Sequence, residues 1–199
     1  MRTVNELRSI QGWIQDNEIV ALQKCACEQQ KTSTLDFLEI GSWKGLSAVA
    51  ISSALQGDRR LWLVDHFRGN DTHQKGQRWH RAPYLPRYRR RGGLWAYPEL
   101  LENVIKFGVQ DKVIVVPFSS EDAAKVVKET FGFIFIDGDH KGADKDWKLW
   151  GPQLALGGHV FFHDSTQPLI HDACAAVKKD PRMKLVYETT MTGFVRVGL

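Results

Sequence analysis

Short apolar runs alternate along this chain with longer stretches in which apolar positions recur at helical spacing. The short runs are almost wholly apolar, as is typical of strands buried on both faces of a parallel sheet. The predicted strands are Leu35–Ile40, Leu61–Val64, Val113–Val116, Phe133–Ile136 and Val160–Phe162. The predicted helices are Leu46–Leu55, Glu99–Phe107, Glu121–Thr130, Ala143–Leu154 and Leu169–Lys178. The pattern predicts an α/β fold with helices on both faces, whose ligands lie beyond the carboxyl ends of the strands.

The two ends of the chain follow a different pattern. Residues 4–30 have helical spacing with a break near Gly12, so we predict an N-terminal helical extension over 1–34 and one domain over 35–199. At the other end, Met183–Tyr187 and Phe194–Val197 flank a short polar segment. That spacing predicts a C-terminal antiparallel hairpin, which completes a mostly parallel sheet of seven strands.

Composition limits the class of protein and the compartment that we expect. Hydrophobic residues make up 43% of the 199, which suits one globular domain. No apolar run approaches the ~18 residues of a membrane span, and no signal core follows Met1, so we expect a cytoplasmic protein without membrane contact. Cys25, Cys27 and Cys174 lack paired metal spacing and are expected to be reduced thiols.

Residues 36–47, DFLEIGSWKGLS, carry the most specific chemical signal. A strand containing Glu39 leads into two glycines, Gly41 and Gly45, and then into a helix. The carboxylate can accept hydrogen bonds from an ammonium group, and the glycines allow close backbone approach and tight helix packing. Asp65 ends the second strand, 20 residues after Gly45, where an acid can hold both hydroxyls of a ribose. The loop lacks the G-x-G-x-x-G pattern of dinucleotide sites.

These residues resemble motif I of class I S-adenosylmethionine-dependent methyltransferases. The resemblance is closest to the small O-methyltransferase branch, which includes catechol-type enzymes and antibiotic-tailoring sugar methyltransferases, where the motif reads Glu-x-Gly-x-x-x-Gly. It implies a Rossmann-like methyltransferase fold and S-adenosyl-L-methionine as cofactor. The expected cofactor-binding residues are Glu39, Gly41, Ser42, Gly45, Asp65, His66, Ser119, Ser120 and Asp137. Ser120 aligns best with the serine that borders the adenine, although Ser119 or Ser120 can also be a helix cap.

Two acids end the fourth and fifth strands, and their charges would repel unless they share a cation or a proton. Asp137 and Asp164 match the metal-ligand positions of the resembled enzymes, which suggests a metal-binding site for magnesium or manganese. The match is incomplete: His163 stands where the tailoring branch often has an acid, and Ser165 stands where catechol-type enzymes usually have Asn. We predict Asp137, Asp164 and His163 as ligands, with Ser165, Asp139 or water as alternatives for the third position; this set also admits iron or zinc.

His140 follows Asp137 by three residues, the offset at which catechol-type enzymes carry a lysine proposed as general base. A histidine there can take a hydroxyl proton near neutral pH, or it can simply cap the next helix. The predicted catalytic residues are therefore His140, Asp137 and Asp164. The predicted enzyme is a transferase that moves a methyl group to a hydroxyl of a small-molecule acceptor.

Residues 66–98 form a basic, aromatic insert that we expect to act as a lid over the active edge. It holds eight Lys or Arg residues against one acid, Asp71, whereas the whole chain has a formal charge of +4. Its aromatic residues are Phe67, Trp79, Tyr84, Tyr88, Trp95 and Tyr97. This composition suits an anionic or sugar-like acceptor. Nucleic acid is not the expected partner; an RNA-binding or non-catalytic cofactor-binding module, and a homo-oligomer contact, are the alternatives.

Overall fold

The computed structural model of the chain describes residues 1–78 and 82–198. It contains a mixed sheet flanked by helices. The strands are β1 (Phe37–Ile40), β2 (Leu61–Val64), β3 (Arg89–Arg90), β4 (Gly93–Leu94), β5 (Val113–Val116), β6 (Phe131–Ile136), β7 (Leu154–Phe162), β8 (Met183–Glu188) and β9 (Thr192–Arg196). The helices are α1 (Val4–Leu7), α2 (Asp16–Thr32), α3 (Leu46–Ser52), α4 (Tyr97–Lys106), α5 (Ser120–Val126), α6 (Ala143–Trp150) and α7 (Pro168–Lys178). Trp79 and Arg81 of the insert lie outside the described residues.

The main sheet has seven strands in the order β5-β2-β1-β6-β7-β9-β8. The first five of these pair in parallel, and β9 runs antiparallel to both β7 and β8. This arrangement confirms the predicted Rossmann-like methyltransferase fold, including its C-terminal antiparallel hairpin.

The observed elements differ from the predicted ones mainly at their ends. β7 begins at Leu154 rather than Val160, because a register shift near Phe131 and a positive φ of 75° at Gly157 let the strand bend and continue its pairing. α6 ends at Trp150, where the chain tightens into a 3₁₀ turn that contains Pro152. Hydrophobic spacing alone does not locate such ends.

Two apolar cores cover the two faces of the sheet. Phe37 of β1 belongs to the core beneath α1 to α4, whereas Leu38 and Ile40 belong to the core beneath α5 to α7. Alternation therefore points Glu39 toward the first core, together with Phe37. The predicted N-terminal extension packs into that core through Leu7 and residues of α2. Within the described residues, no helix has the length and apolarity needed to cross a bilayer.

The insert carries a two-stranded ribbon that sequence patterning did not predict. Arg91 and Gly92 link β3 to β4 with φ angles of 50° and 78°, as a tight two-residue hairpin turn requires. At the base of the insert, the Ala96 N–H donates to the Phe67 carbonyl over 2.8 Å.

A buried ion pair attaches the insert to the turn after β1. Lys44 Nζ lies 3.1 Å from Glu99 Oε2 of α4, and both side chains are almost fully buried. The same ammonium donates to Gln11 Oε1 over 2.6 Å and to the Leu85 carbonyl over 3.3 Å. One cation therefore joins the N-terminal segment, the first turn, the insert and α4.

We expect Lys44→Met to reduce the free energy of unfolding by about 3 kcal/mol, because it leaves the Glu99 charge buried without its main partner. Urea denaturation measures this change. The matched control is Lys125→Met, which breaks an exposed pair with Asp122 and should cost less than about 1 kcal/mol. Equal small losses in both variants would contradict a structural role for the buried pair.

Candidate active site

The register of the sheet aligns the carboxyl ends of its parallel strands in one row. The residues of that row are Ile40, Val64, Val116, Ile136 and Phe162. The residues that follow them are Gly41, Asp65, Pro117, Asp137 and His163. The sheet therefore gathers the predicted site residues of separate segments along one edge, where parallel α/β sheets bind ligands.

The turn after β1 depends on its two glycines. Gly41 has a φ of 88°, and a β-carbon there would collide with the carbonyl group of Asp137. Gly45 has a φ of 89° at the start of α3, and a β-carbon there would lie 2.6 Å from Leu100 Cδ1 of α4. The turn thus holds its backbone close to β6 and its helix close to α4, as the motif predicts.

Glu39 is fully buried and only half satisfied. Its Oε1 accepts a hydrogen bond from Ser47 Oγ, whereas its Oε2 is buried without a partner. Ser42 Oγ in the same turn is also buried without a partner. Burial raises the pKa of Glu39 to about 8, and the charges of Asp137 and Asp65 add to the shift. A ligand with an ammonium group would satisfy this carboxylate.

Asp65 fixes the backbone of two turns, the one that follows β1 and the one that follows β2. Its Oδ2 accepts from the Trp43 N–H over 2.8 Å, and its Oδ1 accepts from the Phe67 N–H over 2.6 Å. Trp43 and Phe67 have positive φ values of 47° and 60°, so the carboxylate holds two strained turns. Each carboxylate oxygen keeps a further lone pair, so the predicted ribose contact is still chemically available.

A cleft of about 410 Å³ lies between the turns that follow β2 and β5. Its lining residues are His66, Arg68, Gly69, Asp71, Gln74, Pro117, Phe118, Ser119 and Asp122. The Phe118 ring is 52% exposed although it is large and apolar. An exposed aromatic ring on a cleft wall suits stacking against a planar heterocycle.

The two predicted serines have different surroundings. Ser119 caps α5 by accepting from the Asp122 N–H over 3.2 Å, and it also lines the cleft. The Ser120 hydroxyl donates to Asp146 Oδ1 and accepts from Trp150 Nε1 over 2.9 Å. The predicted preference for Ser120 as a ligand contact is therefore not favoured, because its hydroxyl already links α5 to α6.

His163 bridges two carboxylates at the edge of the sheet. Its Nδ1 lies 2.8 Å from Asp137 Oδ1 and its Nε2 lies 3.2 Å from Glu18 Oε2. Glu18 also accepts from the Thr190 hydroxyl over 2.6 Å and from the Gln15 N–H over 2.8 Å. Burial alone would lower the pKa of His163, but Asp137 and Glu18 raise it to about 11. Both ring nitrogens therefore face carboxylate oxygens at hydrogen-bonding distance.

Asp164 and His140 form a separate, more exposed pair. His140 Nε2 lies 3.1 Å from Asp164 Oδ2, with side-chain exposures of 44% and 37%. Asp164 has a φ of 51°, a conformation that non-glycine residues seldom adopt outside functional sites. The carboxylate can orient the imidazole for proton transfer.

The predicted metal ligands meet in space but do not form a metal site. His163 Nδ1 lies 3.6 Å from Asp164 Oδ2, so Asp137, His163 and Asp164 are neighbours as predicted. Each ring nitrogen, however, already faces a carboxylate oxygen, at 2.8 Å for Asp137 and 3.2 Å for Glu18. Across residues 1–78 and 82–198, no group of three or more His, Cys, Asp or Glu side chains has a metal-binding arrangement. The residues present therefore do not fit the predicted divalent ion.

The alternatives for the third metal ligand are also engaged elsewhere. Ser165 is buried and accepts from Thr192 Oγ1 over 2.8 Å. Asp139 is exposed and accepts from the Lys141 N–H over 3.3 Å at the turn before α6. Neither side chain supplies the missing ligand in this arrangement.

Sequence reasoning missed Glu18, which comes from the N-terminal helix α2. The acid is fully buried, and it precedes Leu22 and Ala26 of the same apolar face by one and two helical turns. A carboxylate within an apolar stripe is the signal that could have identified it. Its partner is 145 positions away, and no local pattern reports such a distance.

The family model described as Methyltransferase domain matches residues 38–165, which is more than half of the chain and includes the turn after β1 and the His163–Asp164 corner. The chain belongs to this methyltransferase family. The match confirms the resemblance that motif I indicated.

Several solved structures have the same fold as this chain over nearly its whole length. The O-methyltransferase NovP is 20% identical, with a TM-score of 0.75 over 93% of this chain and 81% of that chain. TomG from Streptomyces achromogenes, an O-methyltransferase involved in tomaymycin synthesis and solved in complex with SAM, is 13% identical, with a TM-score of 0.69 over 94% and 82%. The O-methyltransferase from Bacillus cereus in complex with SAH is 14% identical, with a TM-score of 0.67 over 97% and 87%.

The methyltransferase has a site that fits S-adenosylmethionine at both ends. At one end, Gly41 allows close backbone approach, and Glu39 Oε2 and Ser42 Oγ have no hydrogen-bond partner among residues 1–78 and 82–198. At the other, the cleft beside Phe118 offers an apolar ring and polar walls. An amino acid at the first end and a purine at the second would satisfy these groups.

An aromatic cluster covers the first turn of the methyltransferase. Trp13 contacts Tyr84 edge to face, with ring centroids 5.0 Å apart, and Trp43 stacks on His73 at 5.5 Å. Trp43 Nε1 and His73 Nδ1 are buried and have no hydrogen-bond partner in the described part of the chain. The insert and the N-terminal segment thus meet over the turn, and the lid role of the insert stays a prediction.

A second, smaller cavity of about 240 Å³ lies within the insert. Its walls include Arg68, Arg90, Arg91 and Trp95. The Arg90 guanidinium lies over the Trp95 ring at 4.7 Å from its centroid. Converging guanidinium groups beside an indole suit a ligand with an acidic group.

We expect Glu39→Gln to stabilise the ligand-free protein at high pH and to weaken binding of S-adenosylhomocysteine about tenfold. The raised pKa of Glu39, from 4.5 toward about 8, means that the folded protein holds this proton more tightly than the unfolded chain. The free energy of unfolding therefore falls as pH rises through that window, by up to about 1.4 kcal/mol per pH unit. The glutamine variant loses this contribution.

Urea denaturation at pH values from about 5 to about 8, which span the interval between the two pKa values, measures the first effect. Calorimetry with S-adenosylhomocysteine measures the second. The control is Glu129→Gln, an exposed acid away from the edge. Parallel pH profiles for Glu39→Gln and the wild type would contradict the burial of an unpaired carboxylate.

Proposed function

We propose that this chain is an S-adenosylmethionine-dependent O-methyltransferase that methylates a hydroxyl group of a small molecule. The observation that carries the proposal is the buried, half-satisfied Glu39 beside the close-approach turn at Gly41. A protein does not bury such an acid without a partner unless a ligand supplies one. Three solved structures of similar fold are O-methyltransferases, which supports this proposal.

Each part of the site has a separate binding role. Glu39 and Ser42 hold the amino-acid end, and the N–H groups that begin α3 face its carboxylate. Asp65 accepts from the ribose hydroxyls with the lone pairs that its backbone partners leave free. Phe118 and Ser119 border the adenine.

The chemistry requires one proton acceptor from the protein. When bound, S-adenosylmethionine supplies an activated methyl group on its sulfonium. His140 takes the proton of the acceptor hydroxyl, and Asp164 orients the imidazole and stabilises its charged form. The residues at the Asp137–Asp164 corner do not favour a metal, so no step depends on one. The arrangement of acceptor and methyl group supplies the rest of the rate.

The insert favours an acceptor that carries an acidic group and a ring. The guanidinium groups of Arg68, Arg90 and Arg91 line one cavity, and the Trp13–Tyr84 cluster offers aromatic faces. Several other insert arginines already have internal partners: Arg87 pairs with Glu102, and Arg89 donates to the Pro86 carbonyl. Such internal use favours a small acceptor over a nucleic acid backbone.

The proposed compartment is the cytoplasm. Cys25, Cys27 and Cys174 are unpaired thiols, as in a reducing environment. RNA binding and self-association stay alternative predictions. A salt titration of RNA binding tests the first, and light scattering tests the second.

Incubating the protein with methyl-labelled S-adenosylmethionine and a metabolite extract tests the function. We expect label in small molecules that bear an acidic group, and binding of S-adenosylhomocysteine by calorimetry. Failure to bind the nucleoside at millimolar concentration would overturn the proposal. Labelled RNA without labelled metabolites would favour the alternative.

We expect His140→Ala to lower kcat by about 10²- to 10⁴-fold with little effect on binding of S-adenosylhomocysteine. Asp164→Asn should lower kcat in the same direction, because it no longer orients the imidazole. His171→Ala is the matched control, since His171 is an exposed histidine on α7. A kcat for His140→Ala close to that of the control would remove His140 from the reaction.

We expect Phe118→Ala to weaken S-adenosylhomocysteine binding about tenfold, because base stacking on an aromatic ring contributes about 1–3 kcal/mol. Val126→Ala, a truncation of another exposed apolar side chain of the same region, should leave affinity unchanged. Calorimetry at fixed salt compares the two variants. Equal affinities would place the adenine away from the cleft.

A further inference from the structure

Three carboxylates surround one imidazole at the edge of the sheet. Asp137, Glu18 and Asp164 lie 2.8, 3.2 and 3.6 Å from the nearest nitrogen of His163. The resemblance to metal-dependent enzymes assigns a divalent ion to the Asp137–Asp164 corner. In this chain the His163 side chain occupies that corner.

The His163 ring is held in a way that excludes metal ligation. Its side chain is only 5% exposed, and each nitrogen faces a carboxylate oxygen at hydrogen-bonding distance. A ring that donates from both nitrogens has no lone pair for a metal. Rotating it outward would leave Glu18 buried without a cation, which is unfavourable.

Glu18 holds the His163 ring in place from a distant part of the chain. It reaches the corner from α2, and the Thr190 hydroxyl and the Gln15 N–H fix its two oxygens. The N-terminal helix therefore takes part in the active edge through a contact that ligand binding does not require.

We propose that the His163 side chain, held between Glu18 and Asp137, takes the place of the divalent ion at the Asp137–Asp164 corner, so that methyl transfer by this chain is independent of metal. The inference rests on the proposed function for its activity arm only. His163 and Glu18 are positioning residues: they orient Asp137 and compensate its charge, while the proton of the acceptor passes to His140.

The first test titrates Mn²⁺ into the full wild-type chain, with and without S-adenosylhomocysteine, and follows free Mn²⁺ by electron paramagnetic resonance. We expect no saturable binding, and no loss of turnover after treatment with EDTA. Saturable binding that Asp137→Asn abolishes would overturn the proposal, as would turnover that EDTA removes and Mn²⁺ restores. Because Mn²⁺ binding is read without turnover, its result stands even if no methylated product is found.

The second test restores an acid at the position of the imidazole. We expect His163→Asp to bind about one Mn²⁺ per chain, because the introduced acid joins the three carboxylates of Glu18, Asp137 and Asp164 with no imidazole between them. Glu18→Gln/His163→Asp removes the extra buried charge and serves where the single variant folds poorly. The control is His171→Asp, which adds an acid at an exposed position beside Asp172.

Binding in either corner variant, with none in the wild type or the control, supports the replacement of the ion by His163. If both corner variants fold and neither binds Mn²⁺, His163 is not what keeps the metal out and the proposal is wrong. If neither folds, the wild-type titration and the EDTA arm decide the question alone.

Discussion

Negative charge concentrated at one edge of the sheet is the constraint on which this structure depends. Glu39, Asp65, Asp137 and Asp164 all lie at or near the ends of parallel strands, and Glu18 joins them from α2. Like charges this close destabilise a fold unless each has a partner. The protein meets this requirement in a different way for each acid, and those differences define the site.

Asp65 takes backbone N–H groups, Asp137 and Glu18 share the His163 imidazolium, and Asp164 pairs with His140. Among the described residues, Glu39 is the one of these acids with a fully buried oxygen that lacks a hydrogen-bond partner. The acids with permanent partners build the edge, and the acid without one marks where the ligand binds. The same argument separates the buried His163, which compensates charge, from the more exposed His140, which can exchange a proton with an acceptor.

The fold and the first turn were predictable from the sequence because their causes are local. Apolar runs predicted β2 and β5 at their observed bounds, and the spacing of Gly41 and Gly45 predicted the turn. The charge partners were not predictable, because each depends on tertiary contacts. Glu18 meets His163 only once α2 packs on the sheet, and Ser120 is taken up by Asp146 only once α5 lies against α6. The roles of Asp137 and Asp164 therefore stay predictions, although the structure places both at the expected edge.

The elements outside the core sheet act on the site through Lys44. Its ammonium lies within the turn that follows β1 and holds Gln11, the Leu85 carbonyl and Glu99 at the same time. The N-terminal segment and the insert therefore cannot shift independently of the turn that carries Gly41 and Ser42 without breaking hydrogen bonds to this buried ammonium. Because Trp43 of the same turn packs against His73 of the insert, the surface proposed to meet the acceptor and the loop proposed to hold the donor belong to one packed unit. The fold itself then sets the position of the methyl donor relative to the acceptor. Methyl transfer depends mainly on this alignment, because the sulfonium already activates the methyl group.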